Sequence, residues 1–252
     1  MPHSPKTVKR ELKRLSRDAR DFDARRYFGT DARLGFFNVG TGPLRTLARS
    51  IYAAERDRWT VDEAMAFADA LIRDRYLEAK AVGIEVVARY RQDFSPRLLA
   101  RWKGWLSDDH AANWATTDAM CGALIGPLLV GHPELAREMR RWARHRNMWV
   151  RRASIVSLIP LVRRGGALDL VYAVAKRLHP DGEDLIQKAV GWVLREAGKV
   201  DQRRLERYLI ANGGSIPRTT VRYALERFPE RKRRALLNAT RKRDNVIPLT
   251  RR

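Results

Sequence analysis

Leu185-Ile-Gln-Lys-Ala-Val-Gly191 is one of five stretches built on a shared pattern. The others are Tyr76-Leu-Glu-Ala-Lys-Ala-Val82, Trp114-Ala-Thr-Thr-Asp-Ala-Met120, Trp149-Val-Arg-Arg-Ala-Ser-Ile155 and Pro217-Arg-Thr-Thr-Val-Arg-Tyr223. Each opens on a bulky residue or proline, has a polar residue two places on, and runs into small or apolar residues. Successive starts are 38, 35, 36 and 32 residues apart, a period that suits paired-helix repeats of the HEAT type. A helix pair of that size cannot bury its own apolar face, so neighbours stack into a continuous core. The expected fold is all-α: a superhelical solenoid of HEAT-like repeats with a concave basic face.

The rest of the chain agrees with a helical reading. Apolar residues recur at i, i+3, i+4 and i+7, and no run alternates β-branched with polar residues. Helix stops and restarts fall at Gly40-Thr-Gly-Pro43, Ser95-Pro96, Gly131-His-Pro133, Gly165-Gly166, His179-Pro-Asp-Gly182 and Asn212-Gly-Gly-Ser-Ile-Pro217. Between them helices of about 10 to 16 residues are expected. A single domain over residues 1–240 is predicted. Residues 1–20 would form a basic capping helix with a Leu12/Leu15 stripe, and residues 241–252 a basic mobile tail.

Of the 252 residues 51 are Lys or Arg against 29 Asp or Glu, a net charge of +22, and 41 of the cations are Arg. A surplus of that size favours a polyanionic partner and opposes self-association, so a monomer that binds nucleic acid is expected. Anionic membrane surfaces and genome composition are the rival explanations of the charge. A lone Cys121 cannot form an internal disulfide, and the charged first 20 residues lack the apolar core of a secretory signal. No run reaches 18 apolar residues. These features predict a cytoplasmic, nucleoid-associated protein without a membrane partner. His3, His110, His132, His145 and His179 lie at no metal-ligand spacing with one another or with Cys121, so neither a metal nor another cofactor is expected.

One repeat position breaks its own rule. Where three segments carry Ala153, Ala189 and Val221, the second carries Asp118, four residues after Trp114 on the same helical face. An acid at an apolar repeat position marks either a functional site or an internal pairing with one of the many arginines. Trp114, Trp149 and Trp192 recur in consecutive repeats, where they could stack on bases. Trp102, Trp105 and Trp142 read as core, and Trp59 as a staple beside the helix-start signature Thr60-Val-Asp-Glu63. Arg151, Arg152, Lys188, Arg218 and Arg222 occupy matching motif positions and could follow a phosphate backbone.

The string Ile186-Gln-Lys-Ala-Val-Gly-Trp-Val-Leu-Arg-Glu196, with Trp149-Val-Arg-Arg-Ala153 and Asn113-Trp-Ala-Thr-Thr-Asp118 upstream, resembles the AlkD-like DNA alkylation repair family. The similarity runs from about residue 60 to 230. The resemblance implies HEAT-like repeats and a glycosylase that excises N3- and N7-alkylated purines from double-stranded DNA; with no Lys in the motif around Asp118, a monofunctional hydrolytic enzyme without Schiff-base chemistry is expected. It further implies Trp114 and Trp192 as aromatic walls, Asp118 as the catalytic carboxylate, Arg152 as a backbone contact near the lesion and Tyr27 as an N-terminal aromatic. It also implies that the damaged base need not be flipped into a deep pocket. The segment Gly29 to Gly42 is longer than the family pattern. A non-catalytic repeat scaffold for nucleic acid and a protein-interaction solenoid are the competing readings.

Overall fold

A computed structural model of the chain describes residues 3–18, 23–28 and 34–241. All of the expected 241–252 tail but Arg241, and part of the Gly29–Gly42 segment, lie outside the described residues. The chain is all-helical: among the described residues the only β-type pairing is an isolated bridge between Gly35 and Tyr76. Contacts gather it into two compact units, residues 1–135 and 136–252.

The first unit contains α1 (Pro5–Arg14), α2 (Thr41–Glu55), α3 (Val61–Ile72), α4 (Leu77–Val87), α5 (Arg97–Ser107) and α6 (Trp114–Met120). A π-helical turn, Cys121–Ile125, continues α6 into α7 (Gly126–Gly131). Helix α4 is the hub, packed against α1, α2, α3 and α6. Its residues are buried on nearly every side, from Ala79 and Val82 to Ile84 and Val87, as an interior repeat helix requires. Local chemistry starts the helices. Thr60 and Glu63 cap each other reciprocally at the start of α3, with Trp59 tilted against Phe67. Ser4 and Thr7 do the same for α1. The buried stripe of α1 is Val8 with Leu12, rather than Leu12 with Leu15, because the helix ends at Arg14 and Leu15 already belongs to its C-cap.

The second unit contains α8 (Met139–Trp142), α9 (Met148–Val156), α10 (Ile159–Val162), α11 (Leu168–Leu178), α12 (Asp184–Val200), α13 (Gln202–Asn212), α14 (Arg218–Ala224) and α15 (Glu230–Ala239). Helix α12 is its hub, packed on α9, α11, α13 and α14. A Cβ at Gly191 would lie 2.5 Å from the Cβ of Tyr223 and 2.7 Å from the carbonyl oxygen of Thr220, so only glycine lets α12 and α14 approach this closely. Helices α8 and α10 have four residues each, shorter than expected. Pro160 stands in the first turn of α10, where its missing N–H costs no helical bond. The predicted breaks all fall at helix boundaries, and the five repeated segments all lie in the first turns of helices: α4, α6, α9, α12 and α14. Trp102, Trp105 and Trp142 are core residues.

Candidate functional site

Helix α6 carries two of the first unit's predicted site residues, Trp114 and Asp118. Asn113 caps it: Oδ1 accepts from the Thr116 amide at 2.8 Å while Nδ2 donates to Thr116 Oγ1 at 2.9 Å. The preceding loop is held from two sides. Thr117 Oγ1 donates to Ala111 O at 2.9 Å, and the buried Lys80 ammonium donates to Ile72 O and His110 O at 2.6 and 2.7 Å. Burial pushes the Lys80 pKa down to about 8 against the opposing pull of Asp74. Trp114 is thereby fixed as the first helical residue, 37% exposed, and Asp118 follows one turn later, half-buried. The counterparts of Asp118 in the repeat, Ala153, Ala189 and Val221, are fully buried. The π turn begins three residues beyond Asp118 and adds Gly122 and Ala123 to a cavity of about 710 Å³. Trp114, Phe28 and Tyr27 line the same cavity, with an Arg45–Glu85 pair also in its wall.

Tyr27 and Trp114, both singled out in the sequence, are brought together by the backbone. The indole Nε1 of Trp114 donates to Tyr27 O at 3.2 Å, while Tyr27 itself is 66% exposed. The next residue, Phe28, stacks on Trp114 with ring centroids 5.1 Å apart and planes 10° apart. Nothing in the sequence singles out Phe28, since 86 residues separate it from Trp114.

The remaining predicted residues belong to the second unit. Arg152 is 5% exposed and donates to the Leu185 carbonyl in the first turn of α12. Arg151 pairs with Asp181 at 2.6 Å and donates to His145 O and Arg146 O at 3.0 and 2.8 Å. Arg218 donates to Leu237 O and Thr240 Oγ1, so it closes the end of α15. Lys188 is partly exposed and pairs with Asp184 at 2.7 Å, a bond that raises its pKa. Arg222 is exposed and makes no ion pair among the described residues. Trp149 and Trp192 are half-buried. The motif around Trp192 is largely scaffold. Gln187 Nε2 donates to Asp181 O at 3.1 Å, Thr220 Oγ1 donates to Gln187 O at 2.9 Å, and Arg195 pairs with Glu226. Buried Glu196 holds Lys199 at 2.7 Å and Arg163 at 3.2 Å, and these cations draw its pKa down against burial.

The family model for the DNA alkylation repair enzyme matches residues 8–228. The chain belongs to that family. The fold of this family member is similar to a solved structure described as a predicted DNA alkylation repair enzyme from Enterococcus faecalis. The TM-score is 0.75 at 16% identity, over 86% of this chain and 98% of the other. None of the curated proteins matches it. Membership places the protein in repair of alkylated DNA, with DNA as its substrate. Among the described residues no three His, Cys, Asp or Glu side chains group as a metal site, and no single helix is long and apolar enough to cross a membrane.

Proposed function

We propose that this repair protein is an AlkD-like DNA glycosylase that releases cationic N3- and N7-alkylated purines from duplex DNA by hydrolysis. The observation that carries the reading is Asp118: a half-exposed carboxylate, one helical turn from an exposed tryptophan, at a repeat position where three of the other four segments bury the apolar Ala153, Ala189 and Val221. The net charge of +22 supports a polyanionic substrate.

An alkylated purine carries a positive ring charge, so its departure needs no general acid. As the C1′–N bond breaks, its electron pair moves onto the purine and positive charge develops on the deoxyribose, as in glycoside hydrolysis. Ionised Asp118 stabilises that charge and accepts the proton of the water whose oxygen bonds to C1′. Trp114 stacks on the lesion nucleotide, and Trp192 and Trp149 of the second unit are further DNA-stacking residues. Lys188 and Arg222 contact phosphates through exposed groups, whereas the bonds of Arg151, Arg152 and Arg218 suit them better to holding the helices that present those groups.

The test is direct. Wild-type protein incubated with methylated duplex DNA should release 7-methylguanine and 3-methyladenine, identified by chromatography. Asp118→Asn should bind the same DNA yet release bases at least about 100-fold more slowly. Absence of release by the wild type would leave a non-catalytic DNA-binding scaffold, and unimpaired release by the variant would remove Asp118 from the chemistry.

A further inference from the structure

Trp114 is held by a route that starts in α4. Glu78, 4% exposed in the first turn of α4, accepts from the Phe37 and Val39 amides at 3.0 and 3.2 Å. The Gly35 amide donates to Arg75 O at 2.8 Å and the Leu77 amide to Gly35 O at 3.0 Å. Phe37 stacks on Tyr76 with centroids 4.0 Å apart. Residues 35–39 are thus strapped across the start of α4 by both backbone and side-chain bonds. From this strap Phe36 reaches Phe28, with centroids 5.3 Å apart, and Phe28 covers one face of the Trp114 indole. Tyr27 O then takes the indole N–H.

The consequence for an aromatic side chain is specific. A tryptophan at the first position of a helix has two free side-chain torsions, and a stacked partner together with an in-plane hydrogen bond removes both. One face of the ring and its N–H edge are taken, while 37% of the residue stays exposed. We propose that Phe28 is a positioning residue: with the Tyr27 carbonyl it clamps Trp114 as a rigid platform, and the 35–39 strap anchored on Glu78 holds the clamp in place. This assigns a role to residues 35–39, which lie within the Gly29–Gly42 segment. It rests on the reading of Trp114 as the stacking platform for the lesion nucleotide. A platform fixed before DNA arrives does not have to be ordered in the transition state.

The test uses protein labelled with 5-fluorotryptophan, the Trp114 resonance being assigned by its loss in Trp114→Phe. Phe28→Ala should shift and broaden the Trp114 ¹⁹F line while the other tryptophan lines stay in place. Phe28→Tyr, which keeps a stacking ring, should restore the wild-type line. In base release from methylated duplex, Phe28→Ala should lower kcat by about tenfold with little change in KM. The same substitution should have no further effect in a Trp114→Ala background. An unmoved Trp114 line in Phe28→Ala, or an equal loss of activity with and without Trp114, overturns the clamp. If wild-type protein releases no base, the glycosylase reading fails on its own, and the ¹⁹F line still decides whether Phe28 positions Trp114.

Discussion

The Nζ of Lys80 lies 2.7 Å from the carbonyl oxygen of His110, 30 residues further along the chain. With the Ile72 carbonyl at 2.6 Å, this ammonium ties the end of α3 to the loop that Asn113 closes before Trp114. A lysine buried to this extent is destabilised as a cation, and two carbonyl acceptors offset that cost. Lys80→Met removes the cation but leaves both carbonyls without their donor. Stability should fall by about 1–3 kcal/mol in urea denaturation. A variant as stable as wild type would mean that the two bonds contribute nothing net.

Glu78→Ala should release the strap without unfolding α4, since the bonds lost are those to Phe37 and Val39. A hydrogen bond to a charged group contributes about 1.5–3 kcal/mol, so exchange of these two amides should accelerate by at least about tenfold. Hydrogen exchange read residue by residue checks this. Unchanged protection would show that the Tyr76 stack and the Gly35 bridge suffice alone.

Helix starts are legible in the sequence because capping is local. Thr60 with Glu63, and Asn113 with Thr116, complete their bonds within three residues. Burial of Trp102, Trp105 and Trp142 follows from helical periodicity in the same way. The destination of a long side chain is not local. Arg218 finds its carbonyl 19 residues away and Arg152 finds one 33 away, bonds to helix ends that the repeat position alone does not announce. Phe28 stays hidden for the same reason: its partners are Phe36, eight residues on, and Trp114, 86 residues on. The anomaly at Asp118 is legible because three repeats supply the comparison that a single helix could not.

Acid sensitivity should centre on His179. It is 5% exposed, its Nε2 lies 2.9 Å from the Tyr208 hydroxyl, and burial, reinforced by Lys176, pushes its pKa down to about 4. The unfolded imidazole takes up its proton near pH 6.5, so between there and pH 4 the unfolded state binds more protons and stability falls with pH. By pH 5 the loss from this group should be about 2 kcal/mol. His110, whose pKa is also lowered by burial and by Arg73, adds a loss of the same sign. Urea midpoints at pH 7 and 5 measure the sum, and His179→Gln should flatten most of the difference. An equally steep fall in that variant would assign the effect elsewhere.

Gly191→Ala should be strongly destabilising although alanine is the better helix former. The added methyl meets the Tyr223 Cβ and the Thr220 carbonyl inside contact distance, and neither is the loose end of a flexible chain. Overpacking of this kind typically costs about 1–3 kcal/mol, enough to outweigh the gain of up to about 1 kcal/mol in helix propensity. Thermal unfolding should show a lower Tm than wild type. A higher Tm would mean that α12 and α14 separate at little cost.

Arg152 and Arg222 separate a buried arginine from an exposed one in DNA binding. Each phosphate contact contributes close to one unit to the slope of log affinity against log salt concentration. Arg222→Ala removes an exposed cation that has no ion pair among the described residues, so the slope should fall by about one while stability stays near wild type. Arg152 is almost fully enclosed and bonded to Leu185 O. Arg152→Ala should therefore lower stability by about 1–3 kcal/mol and leave the slope nearly unchanged at temperatures where the variant is folded. Duplex-DNA titrations at four or five salt concentrations, paired with denaturation curves, give both quantities for each variant. A slope reduced by one in Arg152→Ala would mean that its guanidinium leaves the Leu185 carbonyl to meet phosphate when DNA binds.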